Sequence, residues 1–172
     1  MPDAASYSAT DRMRDGRLLE IRALKPSDGA DMVAAVDRIG TQSLYRRFMG
    51  AKRGFSDKER AFFLNVDFVN HVALVAVMKE GDHASIVAGG RYVVEKPGTA
   101  EVAFAVVDDC QGQGIGAALL RHLAVLARRA GIKEFTAEVL SDNTPMLKVF
   151  ERSGLKFSSK SSADGVHAVL QL

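Results

Sequence analysis

Three alternate glycines stand in the run Gln111-Gly112-Gln113-Gly114-Ile115-Gly116-Ala117, between an apolar stretch and a segment of helical period. Glycine at such positions removes Cβ where the backbone turns sharply and approaches another group closely. The helix that follows offers unpaired N–H groups and the positive end of its dipole. Together these features make an anion site suited to a diphosphate. The plainer reading is a tight strand-to-helix turn that uses glycine for geometry alone. The number of glycines, their place at a helix start and the apolar strand before them favour the ligand. A Walker loop is excluded, because no Lys-Ser or Lys-Thr pair follows the last glycine. Gly112, Gly114 and Ala117 do fit G-x-G-x-x-A, and Glu138 lies about 20 residues further on, as in a dinucleotide-binding fold. The preceding strands read as antiparallel, however, and too little chain follows to build a second mononucleotide half.

Glu101 is the second residue with chemical promise. It stands near the start of the otherwise apolar stretch 100–107, where partial desolvation would raise its pKa toward that of a useful general base. The competing reading is a solvent-facing residue at a strand edge. Cys110 is the only cysteine, which leaves no intrachain disulfide and no cysteine zinc site. That fits a reducing compartment, so a cytoplasmic location is expected. No histidine lies close in sequence to activate Cys110, and an acyl-cysteine route is set aside. His71, His83, His122 and His167 show no metal-ligand spacing, and no metal is expected.

The elements that must position these residues follow from composition and period. The chain has 172 residues, 47% of them hydrophobic and 26% charged, as expected for one globular domain. A net charge of +2 is too small to argue for a nucleic-acid or membrane partner. No stretch approaches the ~18 consecutive apolar residues of a membrane span, and the first residues hold no apolar leader core. Residues 1–16 read as a flexible tail and 17–172 as a single domain. Alternation over 18–24 predicts a strand, and Pro26-Ser27-Asp28 a stop and N-cap for a helix. A second helix runs from Ser43 toward Phe48, and Ser56 with Glu59 forms a capping box for a third. Strands follow over 71–78, 85–94 (interrupted by Gly89-Gly90) and 100–107, the last read as buried on both faces. Short turns between them predict antiparallel pairing. A long helix over 115–130 and a strand over 134–140 then predict a parallel crossover. Thr144, with Pro145 after it, reads as the N-cap of another helix. A hairpin over 156–161 and 166–172 closes the chain, giving a mixed α/β fold.

The run 111–116 also resembles the Q/R-x-x-G-x-G/A signature of the GCN5-related N-acetyltransferase (GNAT) family at every fixed position. Asn143, Met146 and Gly154-Leu155-Lys156-Phe157 resemble that family's later element. The resemblance covers residues from about 18 onward. It implies a mostly antiparallel central sheet flanked by helices and splayed at the strand that receives acetyl-coenzyme A. The pantetheine would pair with backbone groups of Phe104 and Val106, a form of strand addition. The diphosphate would meet the segment Gly112, Gln113, Gly114, Ile115, Gly116 and Ala117, with Gln111 as side-chain support. Asn143 would bond the pantetheine from the other wall, or serve only as a turn residue.

Ser43-Leu44-Tyr45-Arg46-Arg47-Phe48 and Ala100-Glu101-Val102-Ala103-Phe104 are similar to the acetyltransferase domain of bacterial protein lysine acetyltransferases. That likeness implies a protein lysine as acceptor and Glu101 as catalytic base, with the Val106 N–H facing the oxyanion. Tyr45, Arg47 and Phe48 could line the acceptor site or be structural, and Arg46 or Arg47 could instead meet the coenzyme's 3′-phosphate. Phe150 stands where many members carry a tyrosine acid, so the thiolate would leave unprotonated or take its proton from water or acceptor. A small amine as acceptor, and a non-catalytic acyl-coenzyme A-binding regulatory module, are the alternatives. The closing hairpin offers an edge at which a homodimer could form.

Overall fold

The computed structural model describes residues 3–48 and 56–172. The elements in chain order are β1 (Ser8–Arg12), β2 (Leu18–Ala23), α1 (Gly29–Asp37), α2 (Thr41–Phe48) and α3 (Asp57–Leu64). Then come β3 (His71–Glu80), β4 (His83–Lys96), β5 (Thr99–Val106), α4 (Ile115–Arg129) and β6 (Glu134–Val139). Finally α5 (Thr144–Glu151) precedes the hairpin of β7 (Lys156–Ser162) and β8 (Gly165–Gln171). The eight strands form one sheet in the order β1-β2-β3-β4-β5-β6-β8-β7. Every pairing is antiparallel except that of β5 with β6. The mixed α/β sheet expected from the sequence is therefore present, and α4 supplies the crossover between the two parallel strands. Among the described residues no helix is long and apolar enough to cross a membrane.

Helix α4 packs across β3, β4 and β5. Its apolar stripe of Ile115, Leu119, Leu123 and Ala127 is buried, and each fully buried leucine contributes about 1.5–3 kcal/mol. A Cβ at Gly90 on β4 would meet Phe104 of β5 and Leu123 of α4, so the even positions of these strands face α4. Arg91, which reaches Phe63 of α3, and its odd-numbered neighbours face α2 and α3. Sidedness follows from the period of two along a strand.

Three expectations are corrected. The tail predicted over residues 1–16 contains a strand, because β1 pairs with β2 from Ser8↔Arg22 to Arg12↔Leu18. Side chains hold it down as well: the Tyr7 hydroxyl bonds His122 Nδ1 at 2.5 Å and Asp11 pairs with Arg121 at 2.9 Å. Ladder bonds are made by backbone, so a polar strand of this kind leaves no hydropathy signal. The stretch 100–107 is not buried on both faces. Val102 and Phe104 are buried, whereas Ala103 and Ala105 are half-buried and Glu101 is exposed. Finally, Asn143 and not Thr144 caps α5, its Oδ1 accepting from Met146 N at 3.4 Å.

Candidate functional site

The site begins where β5 and β6 part. Their pairing runs only from Thr99↔Glu134 to Glu101↔Thr136, although β5 continues to Val106. Strand β6 instead keeps its full length against β8, and a gap opens along the second half of β5. The N–H of Val107 donates to Val87 O on β4 at 2.9 Å. Backbone groups alternate sides along an antiparallel ladder, so those of Val106 and Phe104 point away from β4 and into the gap. A strand with open backbone groups can accept an extended ligand by strand addition.

The glycine loop closes the end of this gap. Gly112 and Gly114 have φ of +78° and +84°, the left-handed region that residues with a Cβ occupy at a cost of about 1–2 kcal/mol. The first bond of α4 runs from Ala118 N to Gly114 O at 3.0 Å. The N–H groups of Ile115, Gly116 and Ala117 therefore have no carbonyl behind them and crown the positive end of the helix dipole. Gln111 turns its amide inward, donating to Ser43 Oγ and Val106 O at 3.1 Å each and to Asp108 Oδ1 at 3.3 Å. It ties α2, the end of β5 and the loop together. Gln113 is held from the far side, where Arg14 N donates to its backbone oxygen and Asp15 N to its Oε1.

A groove of about 310 Å³ runs over these groups, walled by Phe104, Val106, Gln111, Gly112, Gly114, Ile115, Gly116, Ala117 and Asn143. Nine of the ten residues expected to bind the cosubstrate thus share one wall system; Gln113 stands behind it. Arg14, Arg46, Arg47, Lys148 and Arg152 also border the groove. Arg46 Nε is buried and has no hydrogen-bond partner among the described residues, an orphan that an anionic ligand would satisfy. The open N–H groups, the orphaned Nε and the ring of cations fit a ligand that carries several phosphates. Lys148 on α5 and Arg152 at its C-cap lie four apart, a spacing visible in the sequence but passed over. Arg14 was invisible, since its bond to Gly112 O at 3.2 Å spans 98 residues.

A second cavity, of about 460 Å³, lies across β5 and is bounded by Arg47, Phe48, Phe62, Phe63, Arg91 and Glu101, among others. Arg47 belongs to both walls. Tyr45 belongs to neither and is 48% exposed. Burial raises the Glu101 carboxyl above its ordinary range, reinforced by its hydrogen bond with Glu95 and the charges of Glu95 and Glu138, against the pull of Arg47. Phe150 is buried against Phe157 and brings no hydroxyl to the groove. Among the described residues no group of three or more His, Cys, Asp or Glu could hold a metal ion.

A model of the Acetyltransferase (GNAT) family matches residues 41–155. Acetyltransferase Pat of Mycolicibacterium smegmatis is 35% identical over 148 residues, which cover 83% of this chain and 43% of that protein. An acetyltransferase of Pseudomonas aeruginosa is 31% identical over 121 residues, covering 70% of this chain and 65% of that one. This chain thus spans less than two thirds of the length of either relative. The crystal structure of the GNAT domain of S. lividans PAT has a TM-score of 0.86 at 34% identity, covering 96% of this chain and 97% of that one. A Salmonella typhimurium protein solved with acetyl-CoA has a TM-score of 0.70 at 18% identity over 90% of this chain and 92% of that one, a likeness of fold.

Proposed function

The chain belongs to the acetyltransferase (GNAT) family, and from that premise we propose an acetyl-coenzyme A-dependent N-acetyltransferase that acts on a protein lysine. The acceptor class is supported by the likeness to Pat and to the S. lividans PAT domain. One observation carries the mechanism: Glu101, with its raised pKa, stands in one cavity while the open backbone of Phe104 and the N–H of Val106 face the other. Acetyl-coenzyme A held in the groove supplies a thioester carbonyl for an amine to attack.

The protein's part is to hold, deprotonate and stabilise. The N–H groups of Ile115, Gly116 and Ala117 hold the diphosphate, helped by the charges of Arg14, Lys148 and Arg152. Phe104 and Val106 align the pantetheine through their backbone, and Asn143 borders it opposite. An acceptor lysine, of solution pKa ~10.4, arrives protonated at neutral pH and must lose a proton before it can attack. Glu101 takes that proton, directly or through a water. The amine nitrogen then bonds to the carbonyl carbon, the Val106 N–H donates to the developing oxyanion, and the carbon–sulfur bond breaks, the departing thiolate taking the second proton that the nitrogen sheds, directly or through water.

The test is free-thiol release from acetyl-coenzyme A in the presence of lysine peptides, proteins and small amines. Glu101→Gln should keep coenzyme A affinity while turnover falls about 10²–10⁴-fold, the usual share of a general base. Unchanged turnover removes Glu101 from the mechanism. Binding with no thiol release from any acceptor points instead to a non-catalytic regulatory module.

A further inference from the structure

The cavity on the acceptor side of β5 holds an imbalance of charge that the proposed chemistry does not use. Arg91 lies on β4 opposite Ala103, its guanidinium 4.7 Å over the Phe63 ring. Its Nη1 donates to Phe63 O at 3.2 Å and meets His71 Nε2 at 2.9 Å. Neither partner is an anion. His71 is buried against Phe62 and, with its pKa lowered to about 4 by burial and then by Arg91, stays neutral and accepts the bond. Burial and then the charge of Arg47 lower Arg91 itself to about 9. Arg47 is half-buried, burial lowers its pKa as well, and among the described residues the charge that opposes this is Glu101. Among the described residues neither arginine makes an ion pair.

The acids within reach do not settle this. Glu59 lies on the cavity wall, but its Oε1 accepts from Ser56 N in the cap of α3. Glu101 loses its charge at the moment it takes the acceptor's proton. Residues 49–55, between α2 and α3, read Met-Gly-Ala-Lys-Arg-Gly-Phe and contain no acid. Lys58 adds a further cation to the wall. Buried guanidinium groups without a carboxylate are costly, and a ligand that supplies one removes that cost.

We infer that this cavity receives a carboxylate carried by the acceptor beside its reacting amine, bound by the planar forks of Arg91 and Arg47. The inference rests on the proposed amine acceptor and narrows it. Arg91 stands two residues along the sheet from Val93, the partner of Glu101, a separation of about 7 Å at the usual rise of a strand. An acidic side chain next to the acceptor lysine meets that spacing, and so does the α-carboxylate of a free amino acid. Phe62 and Phe63 cover the apolar stem between the two charges.

The test reads binding, so it does not depend on turnover. Two labelled, end-blocked peptides, Gly-Glu-Lys-Glu-Gly and Gly-Gln-Lys-Gln-Gly, are titrated by fluorescence anisotropy against protein saturated with coenzyme A. Free lysine and lysinamide, which lacks the carboxylate, form a second pair, read by calorimetry. The acid-bearing member of at least one pair should bind roughly tenfold tighter or more, as hydrogen bonds to charged groups warrant. The pair that responds identifies the source of the carboxylate. Arg91→Gln and Arg47→Gln should each bring that ratio toward one, and Arg91→Lys should keep part of it. The ratio is taken within one preparation, so a loss of folded protein cancels. Equal binding within both wild-type pairs overturns the inference, as does a ratio that survives both glutamine variants. Acid-selective binding without thiol release would sink the catalytic proposal and leave this one standing. Thiol release without acid selectivity would do the reverse.

Discussion

Two adjacent glycines on β4 should respond oppositely to one added methyl group, and their difference measures how tightly the cosubstrate strand is packed. A Cβ on Gly90 would sit 2.8 Å from Phe104 Cδ1, 3.0 Å from Cε1 and 3.2 Å from Leu123 Cδ1. Carbon atoms rest at about 3.5–4.0 Å, so the shortest contact is too close by roughly 0.7 Å. The struck group is a buried ring that cannot swing into solvent. Overpacking of this kind costs about 1–3 kcal/mol. On Gly89 the nearest atom is Leu74 O at 3.7 Å, an ordinary contact. Neither glycine has positive φ, so alanine in place of either reduces unfolded-state entropy by the same small amount, about 0.4–1 kcal/mol. Subtracting one variant from the other cancels that term and leaves the clash. For a chain of this size 1 kcal/mol moves Tm by about 2–4 °C, so Gly90→Ala should melt roughly 2–12 °C below Gly89→Ala. Because Phe104 is the ring displaced, Gly90→Ala should also weaken coenzyme A binding in a calorimetric titration, whereas Gly89→Ala should not. Equal Tm values for the two variants would refute the reasoning.

Three further outcomes are expected. Asp28 is 4% exposed and receives two bonds from Arg22, at 2.8 and 2.9 Å, and one from Lys25 N at 2.7 Å; Asp28→Ala should cost about 3 kcal/mol in a denaturant titration. Burial pushes the Asp28 carboxyl up, but the bonds from Arg22 and Lys25 outweigh it and hold it below its ordinary value. Its stabilisation is therefore full above the unfolded value of ~3.9 and should fade as pH drops through the lower folded value, a fading that the alanine variant lacks. Glu101 acts ionised and its carboxyl is raised, so the acid limb of kcat/KM should inflect above the ~4.3 of an ordinary glutamate. Glu95→Gln should move that limb to lower pH, and a limb that stays in place separates Glu101 from the profile. Gly114→Ala forces a Cβ into φ of +84°, with a strain of about 1–2 kcal/mol; both Tm and coenzyme A affinity should fall, and retention of both would show that the loop is not held in that form.

The chain's own order of residues determined a great deal here. Local chemistry is written locally: glycine spacing before an apolar helical period, a capping box at Ser56 and Glu59, and short turns between β-branched runs each act within a few residues. That is why the loop at 111–117, the helix after it and the class of sheet were legible in the sequence. Glu101 was legible as a lone acid in an apolar strand, and so was burial as the first cause of its raised pKa. The reinforcement by Glu95 and Glu138 and the opposing pull of Arg47 were not, because they come from three other elements.

Tertiary structure decided what depends on distance in space. Strand β1 is held by backbone bonds, which any sequence can make, so Ser8–Arg12 gave no sign of itself. The gap between β5 and β6 exists because β6 follows β8 beyond Glu101↔Thr136, a competition between pairings that no single segment records. Arg14, far from the loop in the chain, reaches it only through the β1–β2 turn. Arg47 left several roles open in the sequence and Arg91 gave no sign of one, and only the packing of α2 and α3 over β4 and β5 brings the two to one cavity. A charge is harmless or costly according to its solvation and its partners, and the fold alone assigns both.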